Sequence, residues 1–484
     1  MSDAVLPQWV SGPKASLTPT FFPAWIAATT MLAITLFAPA GVLRDGDSFS
    51  HLAAGDWIIA HGTVPHADPF SYTFAGAPWV AHEWLSEVLM ASAFRAAGWS
   101  GVLVLTALAA ALAMFQLARH LGRWLPAGPS LLLLLLAGFC VTPLLLARPH
   151  ILALPVLEAW VAGLFIARSD GRAPSWRLLP AMCLWANLHG GFMLGLLLVV
   201  PLALEAAMAE RAAWRTVLAR WGGFLLAATA AATLTPHGWA GLLFPFQLMG
   251  MAELTNITEW QPPDFGRLQP LELVLVAGLY VALTRGARLP PVRLLILLGL
   301  LHMSLHHTRH QTLVGVIVPL LIAEPLGMAL APKPAAYGVG EWRTGSLAVM
   351  VGLVALRLLL PIVRVDGPDA PITALAHVPP ALAAEPVFNN YNFGGYLIFA
   401  HVRPFIDGRV DMYGDAFMHQ YLAASVPEKK TLETVFREYG VRWTILTPDS
   451  PVVALLDTLP QWCRLYANDV AVVHAASCPE FSPP

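Results

Sequence analysis

Charge is scarce in this chain. Asp, Glu, Lys and Arg make up 12% of its 484 residues and hydrophobic residues 57%, whereas a soluble globular protein carries about 25% charged residues. That shortage excludes an ordinary water-facing globule. Basic tracts are missing and the formal net charge is −2, so the chain has no electrostatic footprint for nucleic acid. Cysteine is sparse too. Cys140 and Cys183 lie in apolar runs and read as packing residues. Cys463 and Cys478 lie in the polar C-terminal region, where a disulfide is open to them in an oxidising compartment. There is no internal repeat of the kind that marks an inverted-repeat transporter.

Long apolar runs are abundant. Residues 130–147, SLLLLLLAGFCVTPLLLA, are long enough to cross a hydrocarbon core of about 30 Å as helix. Helix is required because backbone polar groups cannot be left open in lipid. Similar runs occupy 21–43, 99–118, 151–167, 177–189, 191–208, 222–237, 270–285, 292–306, 311–330 and 346–363. The run 177–189 is short and reads as a half-span paired with the next helix. Lys14 and Ala38-Pro39-Ala40 loosely mimic a signal peptide, but the first run is longer than a usual signal core, so an uncleaved span is expected. The expected fold class is a polytopic α-helical membrane protein with about 11 transmembrane helices.

Charge sets the orientation. With residues 1–20 in the cytoplasm, the inner loops hold Lys14, Arg119, Arg123, Arg168, Arg172, Arg177, Arg211, Arg215, Arg220, Arg285, Arg288, Arg293, Lys333 and Arg343. The outer loops before the tail hold only Arg44, Arg95, Arg148, Arg267 and Arg309, a positive-inside bias. The membrane domain is then 21–363, with a first outer loop at 44–98, a cytoplasmic linker at 332–345 and a C-terminal region, 364–484, outside. In that region β-like runs (386–389, 395–400, 403–407, 441–447, 471–474) surround a helical stretch, 429–439. This predicts a small soluble α/β domain.

The first outer loop is too long to be a plain connector and is rich in aromatics. Ser50–Ala60 and Glu83–Ala96 have helical apolar spacing, and Trp57, Trp79 and Trp84 suit the membrane interface. Asp45 and Asp47 emerge directly from the first span. Partial desolvation there raises a carboxylate's pKa and makes it a better proton acceptor. Asp-x-Asp and a lone Glu83 are equally compatible with acids that simply face water.

An acid just after the first span, followed by a long outer loop with interfacial helices and a second acid, resembles the GT-C superfamily of membrane glycosyltransferases. The similarity is to its protein-mannosyltransferase and aminoarabinose-transferase type, although the Asp-Glu-x-Arg-Tyr run of the latter is missing. The stretches from Asp45 to Trp57, His82-Glu83-Trp84-Leu85, Ala147-Arg148-Pro149-His150, Trp185-Ala-Asn187-Leu-His189-Gly190-Gly191 and Asn392-Phe-Gly394-Gly395-Tyr396 also resemble a large bacterial group of glycosyltransferase-like membrane proteins. The resemblance implies a polyprenyl-phosphate sugar donor drawn from the bilayer, inversion at the sugar carbon, and transfer to a glycan, lipid or protein acceptor at the bacterial inner membrane. Asp45 or Asp47 is then the base, and Glu83 orients the acceptor or tunes the base. His51 and His82 fall in the same motifs as substrate contacts.

A phosphate leaving group needs fixed positive charge or donors. Candidates are Arg148, His150, His189, His306, His307, Arg309 and His310. His302, His306 and His310 are spaced by four and share a face if the helix continues that far. A divalent metal on these histidines, with Asp45, Asp47 or Glu83 completing its shell, is a second reading, and a structural hydrogen-bond network a third. Arg148 also fits a snorkelling interface residue and His189 a helix cap. Glu259 and Trp260 offer an acid and an aromatic platform for sugar. Asp407-Gly408-Arg409-Val410-Asp411 reads either as a surface turn or as part of acceptor recognition. Two other functions fit the composition: a transporter or flippase for lipid-linked saccharides, and a non-catalytic envelope-assembly protein. Polar groups inside the spans, which a transporter needs, are few; Glu158, Glu205 and Arg357 are the main ones.

Overall fold

The computed structural model describes residues 22–285, 288–330 and 340–476. Lys14, Lys333, most of the expected linker and Cys478 lie outside the described residues. Each apolar run has a helix in its place: α1 (Phe22–Phe37), α3 (Trp84–Leu121), α4 (Ala127–Val141), α5 (Pro149–Ser169), α6 (Leu179–Leu188), α7 (Phe192–Ala209), α8 (Trp214–Ala232), α10 (Pro270–Arg285), α11 (Pro291–His306), α12 (Gln311–Leu330) and α13 (Gly340–Leu359). Two further helices, α2 (Asp47–His61) and α9 (Gly238–Met249), lie between them. Among the described residues, five segments are long and apolar enough to cross a membrane unaided: Trp84–Leu121, Ala127–Leu144, Pro149–Ser169, Phe192–Ala209 and Thr308–Leu330.

Local sequence explains the departures from uniform spans. The expected interfacial helix after Glu83 runs straight into the second span as α3. A break at Ala97-Gly98 separates the halves, and Gly98 takes φ 57° there, a conformation open to glycine. The half-span α6 stops at Leu188, and His189-Gly190-Gly191 leads into α7. Close packing fixes this hairpin: a Cβ on Gly195 would lie 2.5 Å from Trp185, and Trp160 Nε1 donates to the Gly195 carbonyl at 2.9 Å.

Buried ions hold the opposite ends of these helices. Arg293, only 3% exposed, reaches Glu205 at 3.2 Å and Glu324 at 2.9 Å, while Arg168 reaches Glu205 at 3.0 Å. Glu205 is therefore part of a paired cluster, and each charge is offset by an opposite one. Arg357 donates to the Leu360 carbonyl at the end of α13. Glu158 is 1% exposed, and neither of its carboxyl oxygens has a hydrogen-bond partner.

The C-terminal region carries a four-stranded sheet in the order β1-β2-β4-β3. Its strands are β1 (Val387–Asn389), β2 (Trp443–Leu446), β3 (Trp462–Ala467) and β4 (Val472–Ala476). β1 and β2 are parallel, and the other pairs antiparallel. Phe388, Phe405, Phe417, Tyr421 and Phe436 build one core against it. Three of the expected β-like runs are strands. The other two are not: 395–400 belongs to a helix, α14 (Gly394–Phe399), and 403–407 is irregular. The helix is dictated by what it packs on, because Tyr396 and Phe399 both reach Phe49 of α2, with ring centroids 5.3 and 5.4 Å away. Later in the region come α15 (Val410–Ala424), the expected α16 (Lys429–Glu438) and α17 (Pro451–Asp457), while two short helical turns, Ile372–Ala376 and Pro380–Ala383, precede β1. Cys463 is disulfide-bonded, and Cys140 and Cys183 are free thiols.

Candidate active site

Three tethers bring the sequence motifs together at one end of the helices. At the first, the Ser48 hydroxyl donates to the Ala147 carbonyl at 2.9 Å, and the Ala147 N–H donates to Val42 at 2.9 Å. This places Arg148 against the start of α2. At the second, Trp84 Nε1 donates to the Asn187 side chain at 2.7 Å and Ser86 to the Leu188 carbonyl at 2.8 Å, which puts Glu83 beside His189. At the third, His307 Nδ1 donates to the Trp260 carbonyl at 2.5 Å and the Thr308 N–H to Gln261 at 2.9 Å, so Glu259 meets Arg309.

Arg148 sits at the centre. Its guanidinium contacts Asp47 at 2.5 Å, Glu259 at 3.0 Å and Asp45 at 3.4 Å. Arg309 also pairs with Glu259, at 3.2 Å, and stacks 4.2 Å from the centroid of Trp260. Burial pushes the Asp47 carboxyl up to about 6, against the pull of Arg148. Burial acts the same way on Glu259, but there Arg148 and Arg309 outweigh it and hold that acid down at about 2. The two acids on one guanidinium are thus driven apart, one a poised proton acceptor and the other a fixed anion.

Glu83 forms a second centre, 3.5 Å from His189 Nε2, 3.7 Å from His82 Nε2 and 3.8 Å from His51 Nε2. Burial would raise its pKa, but these rings, His82 foremost, hold it at about 2. Burial also works against charge on His51, yet its hydrogen bond to Glu87 at 3.2 Å and the nearby Glu83 leave its pKa raised. His189 goes the other way, pushed by burial to about 3. Its Nδ1 accepts the Gly191 N–H at 3.0 Å, so the proton sits on Nε2, on the side of Glu83.

No protein-family model matches the chain, and no curated protein does. Solved structures do. The oligosaccharyltransferase AglB from Archaeoglobus fulgidus, in complex with an inhibitory peptide and a dolichol-phosphate, superposes with a TM-score of 0.56 at 11% identity, over 96% of this chain and 75% of that one. ArnT from Cupriavidus metallidurans, bound to undecaprenyl phosphate, gives 0.52 at 13% identity, over 94% and 99%. The apo form of ArnT gives 0.52 at 14% identity.

The chain shares its fold with AglB and ArnT. Within this frame, one cluster brings together Asp45, Asp47, His51, His82, Glu83, Arg148, His189, Glu259, Trp260, His307 and Arg309. His150 lies at its edge, 6.3 Å from the His189 ring, with Nε2 donating to the Leu144 carbonyl at 2.9 Å. The expected face of His302, His306 and His310 does not form. α11 ends at His306 and His307 turns extended, at φ −142° and ψ 121°. His302 and His306 adjoin on the exposed side of the helix, their rings tilted with 4.3 Å between centroids, while His307 and His310 turn towards Trp260. Arg148 differs from a ready phosphate ligand, because three carboxylates occupy it. Arg309, with one carboxylate, is the less committed cation.

The residues do not fit a divalent ion. Asp45, Asp47 and Glu259 are each turned onto Arg148, and His189 presents a proton rather than a lone pair. Among the described residues, no group of three or more acidic, histidine or cysteine side chains is arranged to hold a metal.

Sequence reasoning missed three contributors. Glu87, one helical turn beyond Glu83, was detectable from its spacing. Asp411, whose carboxyl burial pushes up to about 6 near His82, was quoted only within a turn motif. Gly408 belongs to the same motif, but nothing in its spacing points to Asp47: a Cβ there would lie 1.9 Å from Asp47 Oδ1.

Proposed function

We propose that this protein is an inverting glycosyltransferase that moves a sugar from a polyprenyl-phosphate donor to an envelope acceptor on the outer face of the bacterial inner membrane. The observation that carries this reading is the Asp47 carboxyl, held 2.5 Å from Arg148 in a cluster that also contains Arg309 and the His189 N–H, with burial raising its proton affinity. Asp47 accepts the acceptor's proton as its lone pair attacks the anomeric carbon. The bond from that carbon to the phosphate oxygen breaks on the opposite face, and its electron pair leaves with the phosphate. Arg309 and His189 Nε2–H stabilise that developing charge. Arg148 sets the ionisation of the base, and Glu83 holds the histidines in place. The arginine-poor loops and the C-terminal domain face the outside, in keeping with the positive-inside bias.

An apolar groove of about 510 Å³, lined by Trp84, Leu85, Cys183, Leu184, Leu234 and Pro236, opens beside Glu83 and suits a lipid tail. The likeness to structures holding dolichol-phosphate and undecaprenyl phosphate supports the donor class.

The test is sugar transfer by purified protein in lipid nanodiscs. Asp47→Asn is expected to lower turnover by roughly 10²–10⁴-fold, the usual worth of a general base. Asp45→Asn, which changes a neighbour and not the base, should have a smaller effect. Wild-type turnover in folded Asp47→Asn would remove the proposal.

A further inference from the structure

The C-terminal domain reaches the cluster by way of glycine. Asp407 is fully buried and accepts from Arg409 Nε at 2.8 Å, Arg409 Nη2 at 2.7 Å and the Tyr413 hydroxyl at 2.6 Å. Arg409 Nη1 crosses to Asp68 of the first loop at 2.6 Å, and its guanidinium lies 4.9 Å from the centroid of Trp79. Residue 408 is thus clamped between two fixed neighbours. Its α-carbon faces Asp47, so closely that a Cβ would stand 1.9 Å from Oδ1 and 2.8 Å from Cγ. α14 closes the other side. A Cβ on Gly395 would be 2.2 Å from the Gly46 carbonyl, and one on Gly46 would be 2.7 Å from the Asn392 carbonyl. The turn carrying the base is therefore gripped by two tail segments that admit no side chain.

We infer that Gly408 is a positioning residue: the Asp407–Arg409 turn, tied to Asp68, presses the Asp47 carboxyl onto Arg148. This rests on the reading of Asp47 as the base. The groups facing Asp47 are Asp45 and His51 from its own segment, Arg148, Glu259, Arg309, and Tyr391 of the tail. Of these, Arg148 is in direct contact, so displacement from it changes how readily the carboxyl ionises.

The experiment uses the full chain in nanodiscs with Gly408→Ala. Two quantities are read. The first is the pH midpoint of carbodiimide modification of Asp47, mapped by mass spectrometry, which needs no turnover. The second is the split of transfer kinetics into kcat and donor KM. The added methyl swings the carboxyl off Arg148, so the midpoint is expected to rise by about 1 pH unit or more, with kcat at pH 7 down roughly twofold or more and donor KM unchanged. If Gly408→Ala does not fold, Arg409→Lys decides. It keeps the charge but loses the fork to Asp407, and the loosened turn no longer presses Asp47 onto Arg148, so the midpoint rises as in Gly408→Ala. A folded variant with the wild-type Asp47 midpoint overturns the inference, whatever its kcat. If the midpoint moves but the wild type transfers no sugar from any polyprenyl-phosphate donor, the glycosyltransferase reading fails and the positioning role stands.

Discussion

Replacing Arg148 by Gln should move the acid limb of the pH–rate profile without abolishing the chemistry. The guanidinium contacts Asp47 at 2.5 Å, Asp45 at 3.4 Å and Glu259 at 3.0 Å. With it gone, the pull that lowers Asp47 is lost, while burial and the two other acids continue to raise it. An opposite charge at this range is worth about 1–3 pKa units, and partial exposure of both side chains argues for the middle of that range, about 2. A base works when deprotonated, so activity is present above its pKa and lost as pH falls through it. From a wild-type Asp47 near 6, the ionised fraction at pH 7 drops from roughly nine-tenths to roughly one-tenth. The expected loss in kcat/KM at pH 7 is therefore about tenfold, recovered near pH 9. The assay is transfer of labelled sugar from a polyprenyl-phosphate donor across pH 5–9.5. A parallel loss at every pH would mean that Arg148 holds the donor instead, and an unshifted limb would refute the argument.

Two other substitutions separate roles within the structure. Arg309→Ala should weaken donor binding by about tenfold, the worth of one charge-assisted contact, while His306→Ala, beside His302 on the exposed side of the helix, should leave donor affinity unchanged; calorimetric titration with polyprenyl phosphate reads both. Arg409→Gln strands Asp407 and Asp68 in the interior without a counter-charge, so the thermal midpoint should fall by an amount equivalent to about 3–5 kcal/mol, and wild-type stability would show that the pair is dispensable.

Much of the architecture was legible because lipid leaves the backbone so few options. A run such as 130–147 must satisfy its own hydrogen bonds, and it does so as α4. Even the half-span α6 announced itself by its length. Legibility failed where neighbours decided the outcome. The run 395–400, GYLIFA, has the apolar bulk of a strand, yet its aromatic side chains dock on Phe49 from a helix. The histidine face was extrapolated through His307, and spacing holds only while the backbone stays helical.

Sequence by itself determined the membrane class, the helical runs and the identity of the acids and cations, since each follows from composition and local period. Tertiary structure alone decided how those groups are used. It put three carboxylates on Arg148, fixed the tautomer of His189 through Gly191, and brought Gly408 against Asp47 from 361 positions along the chain. A side chain's charge is written in its residue type, but its proton affinity depends on what surrounds it, and that is set by packing between distant segments.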